Sequence, residues 1–188
     1  MPTLKANKKI PGTPTWASIK SSLKNKNSAE LLKIMADLYA LNPQNKLFFA
    51  ALASAEEEGL APYKKIISRA VYPDVSRNED IQLAVGRKAI ADYFKATKNK
   101  QGQLALMLHY FEMGNQCTMD YGDMDERFYS SLESMLDKML DTLKALPEDV
   151  VEQYIPRLEA SILSVRDTGW GYYDYLRQQF ELFKLGRG

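Results

Sequence analysis

The side chains with chemistry to offer are few and unevenly placed. His109 is the single histidine and Cys117 the single cysteine, so neither a multi-histidine metal site nor an internal disulfide can be built. His109 lies between Leu108 and Tyr110 in an apolar, helically periodic stretch, which suits packing better than catalysis. Cys117 stands among polar residues and near acids, surroundings that raise a thiol's pKa and blunt it as a nucleophile. The densest acidic group is Asp120, Asp123, Asp125 and Glu126 around Gly122. Such carboxylates can hold Mg²⁺ or Ca²⁺ when several oxygens converge. The EF-hand spacing is absent, because Asp120 and Asp123 are three apart and the twelfth position counted from Asp120 is Ser131. The same acids fit a helix start, where the dipole favours anions.

A second unusual segment lies near the end of the chain, where Trp170, Tyr172, Tyr173 and Tyr175 stand beside Gly169, Gly171 and Asp174. Rings on several sides of one helix cannot all face the same neighbour, so some are expected at the surface, where aromatics and adaptable glycines suit an interface or ligand pocket. Core packing is nevertheless the first expectation for these rings. Elsewhere there is no Walker-type phosphate loop, no Gly-x-Gly-x-x-Gly after a strand, no Gly-x-Ser-x-Gly elbow and no His-Glu-x-x-His. No catalytic residue, metal site or cofactor is therefore expected, and whether the chain is an enzyme stays open.

These groups need a scaffold, and the 188 residues with 45% apolar and 26% charged content suffice for one soluble globular core. No apolar run reaches the length of a membrane span, and the basic start has no apolar stretch of the kind a secretory signal carries. A cytoplasmic location is the expectation. Net charge is +1, yet residues 1–100 hold 17 Lys/Arg against 9 Asp/Glu and residues 101–188 hold 8 against 15. The two halves either neutralise each other within one fold or steer association.

Periodicity is helical almost throughout. Residues 1–13, with Pro2, Pro11 and Gly12 among lysines, read as a mobile basic arm, and 14–188 as a single all-helical domain. Trp16, Ile19 and Leu23 predict a short helix docked by its Trp. Ser28 is expected to cap a helix bearing Leu31, Leu32, Met35, Leu38 and Tyr39, ending at Asn42. Asn42-Pro43 opens the next, which carries Leu47, Phe48, Ala51, Leu52 and Ala55 up to Gly59. In that arrangement Glu56, Glu57 and Glu58 crowd an unfavourable helix C-terminus, with Lys64 and Lys65 or a partner's basic surface as compensation.

Pro62 then opens a short helix ended by Tyr72-Pro73, and Asn78 caps a longer one carrying Ile81, Val85, Ala89 and Tyr93. A helix after Gly102 bears Leu104, Met107, Leu108 and Phe111, weakens at Gly114 and gives way to the main internal loop, ending at Asp123. Phe128, Leu132, Met135, Met139, Leu143 and Leu146 mark the clearest helix, over 125–146. Ile155, Leu158, Ile162 and Val165 mark its return over 147–166, where Pro156 forces a late start or a kink. A final helix carries Tyr172, Leu176, Phe180 and Phe183. The fold class expected is all-α, with eight or nine helices in antiparallel pairs forming a compact bundle or a short irregular superhelical stack.

Several phrases also resemble a family of small uncharacterised bacterial proteins that share a domain of unknown function. They are Pro62-Tyr63-Lys64-Lys65-Ile66-Ile67, Tyr72-Pro73-Asp74-Val75, Asp120-Tyr121-Gly122-Asp123 with Asp125-Glu126-Arg127-Phe128-Tyr129, and Gly169-Trp170-Gly171-Tyr172. The resemblance covers roughly residues 28–180 and implies a bacterial cytoplasmic protein, with no activity, cofactor or substrate attached.

The expected function is a helical module that binds another protein or itself. The residues expected to carry binding are Asp120, Tyr121, Asp123, Trp170, Tyr172 and Asp174, on one surface. The alternatives are nucleic-acid association through the basic amino-terminal half, disfavoured because its lysines are not interleaved with stacking aromatics, and a metal-dependent enzyme around 120–126. No membrane partner is expected.

Overall fold

The structure, a computed structural model, describes residues 12–54 and 57–186; most of the basic arm, Ala55 and Glu56 lie outside them. Among the described residues the chain is all-α, with nine α-helices, one 3₁₀ turn and no strand. The helices are α1 (Trp16–Lys24), α2 (Ser28–Leu41), α3 (Pro43–Ala53), α4 (Glu57–Val71), α5 (Leu83–Thr97), α6 (Lys100–Tyr121), α7 (Glu126–Leu143), α8 (Glu148–Ser164) and α9 (Tyr172–Leu185). The 3₁₀ turn is Val75–Arg77. The chain divides into two compact units, Met1–Lys46 and Leu47–Gly188.

In the larger unit α6 is the central helix. Leu104, Leu106, Met107, Leu108, Tyr110 and Phe111 are all buried, so more than half of the helix circumference is enclosed, with Gln101, His109, Glu112 and Gln116 on the remaining side. It packs against α4, α5, α7 and α8, while α9 closes over α7 and α8. Gly114 does not weaken α6. A Cβ there would lie 2.3 Å from Leu132 Cδ2, so the missing side chain lets α6 and α7 approach closely. The helix therefore runs on to Tyr121, Cys117 is buried rather than placed in a polar loop, and the internal loop shrinks to 122–125.

Other boundaries move for equally local reasons. α3 stops at Ala53, and Gly59 belongs to α4, where a Cβ would meet the carbonyl oxygen of Ser54 at 1.8 Å. Glu57 and Glu58 thus occupy the first turn of α4, where the dipole favours them, and Lys64 pairs with Glu57 across that turn. Asn78 caps nothing: its φ is 54°, because the Asp74 carboxylate accepts from the backbone N–H and hydroxyl of Ser76 and winds the chain into the 3₁₀ turn. α5 starts only at Leu83. Pro156 lies inside α8, which begins at Glu148, early rather than late.

The smaller unit differs in kind. Asn27, one residue before the expected Ser28, caps α2 in a reciprocal box with Glu30. Local signals are thus satisfied, yet neither α1 nor α2 has a buried residue. Trp16, expected as an anchor, is 68% exposed.

Candidate functional site

The loop 122–125 and the segment 165–171 are the irregular stretches at the two ends of the α7–α8 pair. α7 has 18 residues and α8 has 17, so their rises nearly cancel. The chain returns to its starting level, and a Cβ on Gly169 would lie 4.0 Å from Asp123 Oδ2. The hairpin thereby places an acidic loop beside an aromatic turn.

The loop is held from below. Asp125 caps α7 by accepting from the Phe128 N–H at 2.8 Å. The Tyr129 hydroxyl accepts from the Met124 N–H at 3.1 Å and donates to Asp123 Oδ1 at 3.4 Å. The Tyr129 ring lies 4.6 Å from that of Tyr172, which is fully buried. Tyr172 donates to Asn115 Oδ1 at 2.6 Å, and Asn115 Nδ2 donates to the Ser161 carbonyl at 2.8 Å. Burial first, then the charges of Glu133 and Tyr129, pushes the Tyr172 hydroxyl well above its ordinary pKa, so it works as a neutral donor. Ser161, Asn115 and Tyr172 form a satisfied polar chain under the site.

The aromatic turn is strained. The Tyr172 N–H donates to the Gly169 carbonyl at 3.3 Å, with φ of 63° at Trp170 and 72° at Gly171. Two successive left-handed residues make a type I′ turn, whose first central position favours Asn, Asp or Gly. Trp170 occupies it and is 81% exposed. An L-residue there costs about 1–2 kcal/mol, and its ring recovers almost none of that by packing. Asp174 stands exposed in the first turn of α9.

Asp120 and Tyr121 turn elsewhere. The Tyr72 hydroxyl donates to Asp120 Oδ2, and Gln116 Nε2 donates to both Asp120 oxygens at 2.9 and 3.0 Å. The Gln116 bonds, then that from Tyr72, lower the Asp120 pKa, while the bond to Asp120 raises that of Tyr72 to about 12. The Tyr121 ring lies 5.7 Å from that of Tyr72, and its hydroxyl donates to the Pro73 carbonyl at 3.4 Å. These two residues fasten the end of α6 to the Tyr72-Pro73 turn. Of the six expected residues, the structure brings Asp123 to the turn bearing Trp170, exposes Asp174, buries Tyr172 and assigns Asp120 and Tyr121 to a neighbouring clasp.

Asn115 and Tyr129, which support both segments, escaped sequence reasoning. The sequence offers little signal for them, because Asn115 stands beside a second amide, Gln116, in a stretch that also holds Glu112, Thr118 and Asp120.

Other chemistry is sparse. Ser68 Oγ lies 2.8 Å from His109 Nε2, which also lies 3.3 Å from the Lys64 carbonyl oxygen. Burial lowers the histidine's pKa, and neither side chain lines the grooves found on the larger unit. Burial, then Asp120, raises Cys117 to about 11, so it is a thiol at neutral pH. No three His, Cys, Asp or Glu side chains among the described residues converge as metal ligands. No helix among them is long and apolar enough to cross a membrane. On the far side of the loop, Met124, Asp125, Arg127 and Phe128 face residues 81–85 across a groove near 470 Å³.

No protein-family model, curated protein or solved structure matches this chain. Its function has to be argued from its own surface.

Proposed function

We propose that the protein is a helical interaction module whose loop 122–125 and turn 169–171 bind a partner through a lysine- or arginine-bearing segment. The observation that carries this reading is Trp170: a large ring in a costly backbone conformation, exposed rather than packed. Strain of this kind persists where the surrounding structure imposes it, and binding sites are where it collects. The carboxylates give the partner its chemistry. Asp123 and Asp174 supply acceptors for charge-assisted hydrogen bonds, and an indole face attracts a cation by about 0.5–2 kcal/mol, depending on its desolvation. The polar chain from Ser161 to Tyr172 keeps both segments in place, which limits the ordering cost of binding.

Calorimetric titration of the full chain with a lysine-rich peptide tests this, with a glutamate-rich peptide as control. The expected result is saturable binding with Kd on the order of 10–100 µM, weakened by salt. Trp170→Ala or Asp123→Asn should abolish it, while Asp120→Asn should leave it and alter only stability. Equal binding of both peptides contradicts the proposal, as does tight oligonucleotide binding that survives about 200 mM salt.

A further inference from the structure

In α2, at 100° per residue, Leu31, Leu32, Met35, Leu38 and Tyr39 all fall within about 60° of the Met35 direction. Glu30, Lys33 and Asp37 project from the opposite side, more than about 130° away. The helix thus has a wide apolar stripe and a charged back, the pattern of a helix that buries one face. The stripe is not buried: Leu32 is 66% exposed, Met35 49% and Leu38 44%. α1 and α2, of 9 and 14 residues, are near or below the length at which isolated helices hold in water. Something must cover that face.

The order of residues along the stripe says what. Leu31 and Leu32 precede Met35 by four and three positions, and Tyr39 and Leu38 follow it by four and three. The stripe therefore reads the same in both directions about Met35 in position and apolar character. A two-fold axis through residue 35 would set apolar side chains against apolar side chains along the whole stripe, which suits an isologous contact. In an antiparallel pair Met35 meets Met35, and Leu32 of each copy meets Leu38 of the other. Leu31 and Tyr39 flank them, the Tyr39 ring lying under Lys46 Nζ at 5.8 Å. No charged side chain of α2 lies on the stripe.

The area agrees. Leu32, Met35, Leu38 and Tyr39, with half-buried Leu31 beside them, offer roughly 450 Å² at about 100 Å² for each exposed side chain. A stable pair takes about 800 Å² per partner, of which about 65%, near 500 Å², is apolar in homodimers.

We infer that a second copy of this chain covers α2, through an antiparallel α2–α2 contact with its two-fold axis at Met35. The inference stands apart from the basic-partner site, so Trp170→Ala leaves the dimer intact.

Sedimentation equilibrium of the full chain should give twice the 21.4 kDa chain mass at concentrations up to about 100 µM. Met35→Lys, which sets like charges against each other on the axis, should raise the dissociation constant on the order of 100-fold or more. Residue 35 faces its own copy, so Met35→Cys should form an intermolecular disulfide under mild oxidation, whereas Lys33→Cys, on the back of α2, should not. The cross-link decides the matter even where Met35→Lys disturbs folding. A monomer at about 100 µM, a dimer unaffected by folded Met35→Lys, or equal cross-linking from positions 33 and 35 overturns the inference.

Discussion

α2 and α7 carry the same sequence signal and have opposite fates. Both repeat large apolar residues three and four apart, and both begin at a side-chain cap, Asn27 in one and Asp125 in the other. α7 buries eight residues, from Phe128 to Leu143, against α6 and α9. α2 buries none. The local rules for making a helix are therefore separable from the tertiary event that stabilises it. In residues 47–188 the helices cover one another's apolar faces, while α1 and α2 bury no residue. Within the larger unit the groups that hold it together are enclosed, while Trp170 and Asp123, left outside, are available for binding.

Core truncations should set the two units furthest apart. Leu108→Ala, at a fully buried position of α6, should cost about 2–5 kcal/mol in denaturant unfolding. Leu32→Ala, at an exposed position, should change the unfolding of the larger unit by less than about 0.5 kcal/mol. Similar losses at the two positions would erase the distinction. Next in size is the polar chain under the loop. Asn115→Ala leaves the buried Tyr172 hydroxyl without its acceptor and should cost about 1–3 kcal/mol, read as a lower midpoint at unchanged m-value.

A smaller, pH-dependent effect belongs to His109. Burial lowers its pKa from the model-compound value of 6.5, so below that value the unfolded chain binds the proton more readily than the folded one. Stability should fall as pH drops from about 7 to 5.5, and His109→Gln should flatten that part of the profile. Glu133 acts in the opposite sense, because burial and then Asp137 raise its pKa. A profile unchanged by His109→Gln would assign the slope to other groups. The smallest effect is also the most diagnostic. Trp170→Asn should raise stability by up to about 1 kcal/mol, because Asn tolerates the left-handed conformation, while binding is lost. A structural tryptophan would show the reverse.

Much of this architecture was legible in the spacing of apolar residues, and α7 most of all, because its stripe persists for five turns. What escaped was set by contacts distant in sequence. Gly114 reads locally as a weak point in α6, and only the closeness of Leu132 makes it an asset. The acids at 57–58 look misplaced until the break before α4 turns a helix end into a helix start. Asn78 loses its capping role to Asp74, four residues earlier, which competes for the same stretch of backbone. At the candidate site, the near-equal lengths of α7 and α8 made the meeting of Asp123 with the Trp170 turn foreseeable. The burial of Tyr172 and the diversion of Asp120 to Tyr72 were not, because each depends on a partner hydroxyl or amide more than forty positions away.

The central claim, that Trp170 and its neighbouring carboxylates receive a basic partner, can be read from the indole itself. In Trp16→Phe protein, Trp170 is the single tryptophan, and its emission reports the turn directly. Titration with the lysine-rich peptide should shift or quench that emission saturably, with an apparent affinity that falls as salt rises and disappears in Asp123→Asn. Emission that stays constant while calorimetry still registers binding, or that responds equally to the glutamate-rich peptide, would contradict the assignment of this face as the binding site.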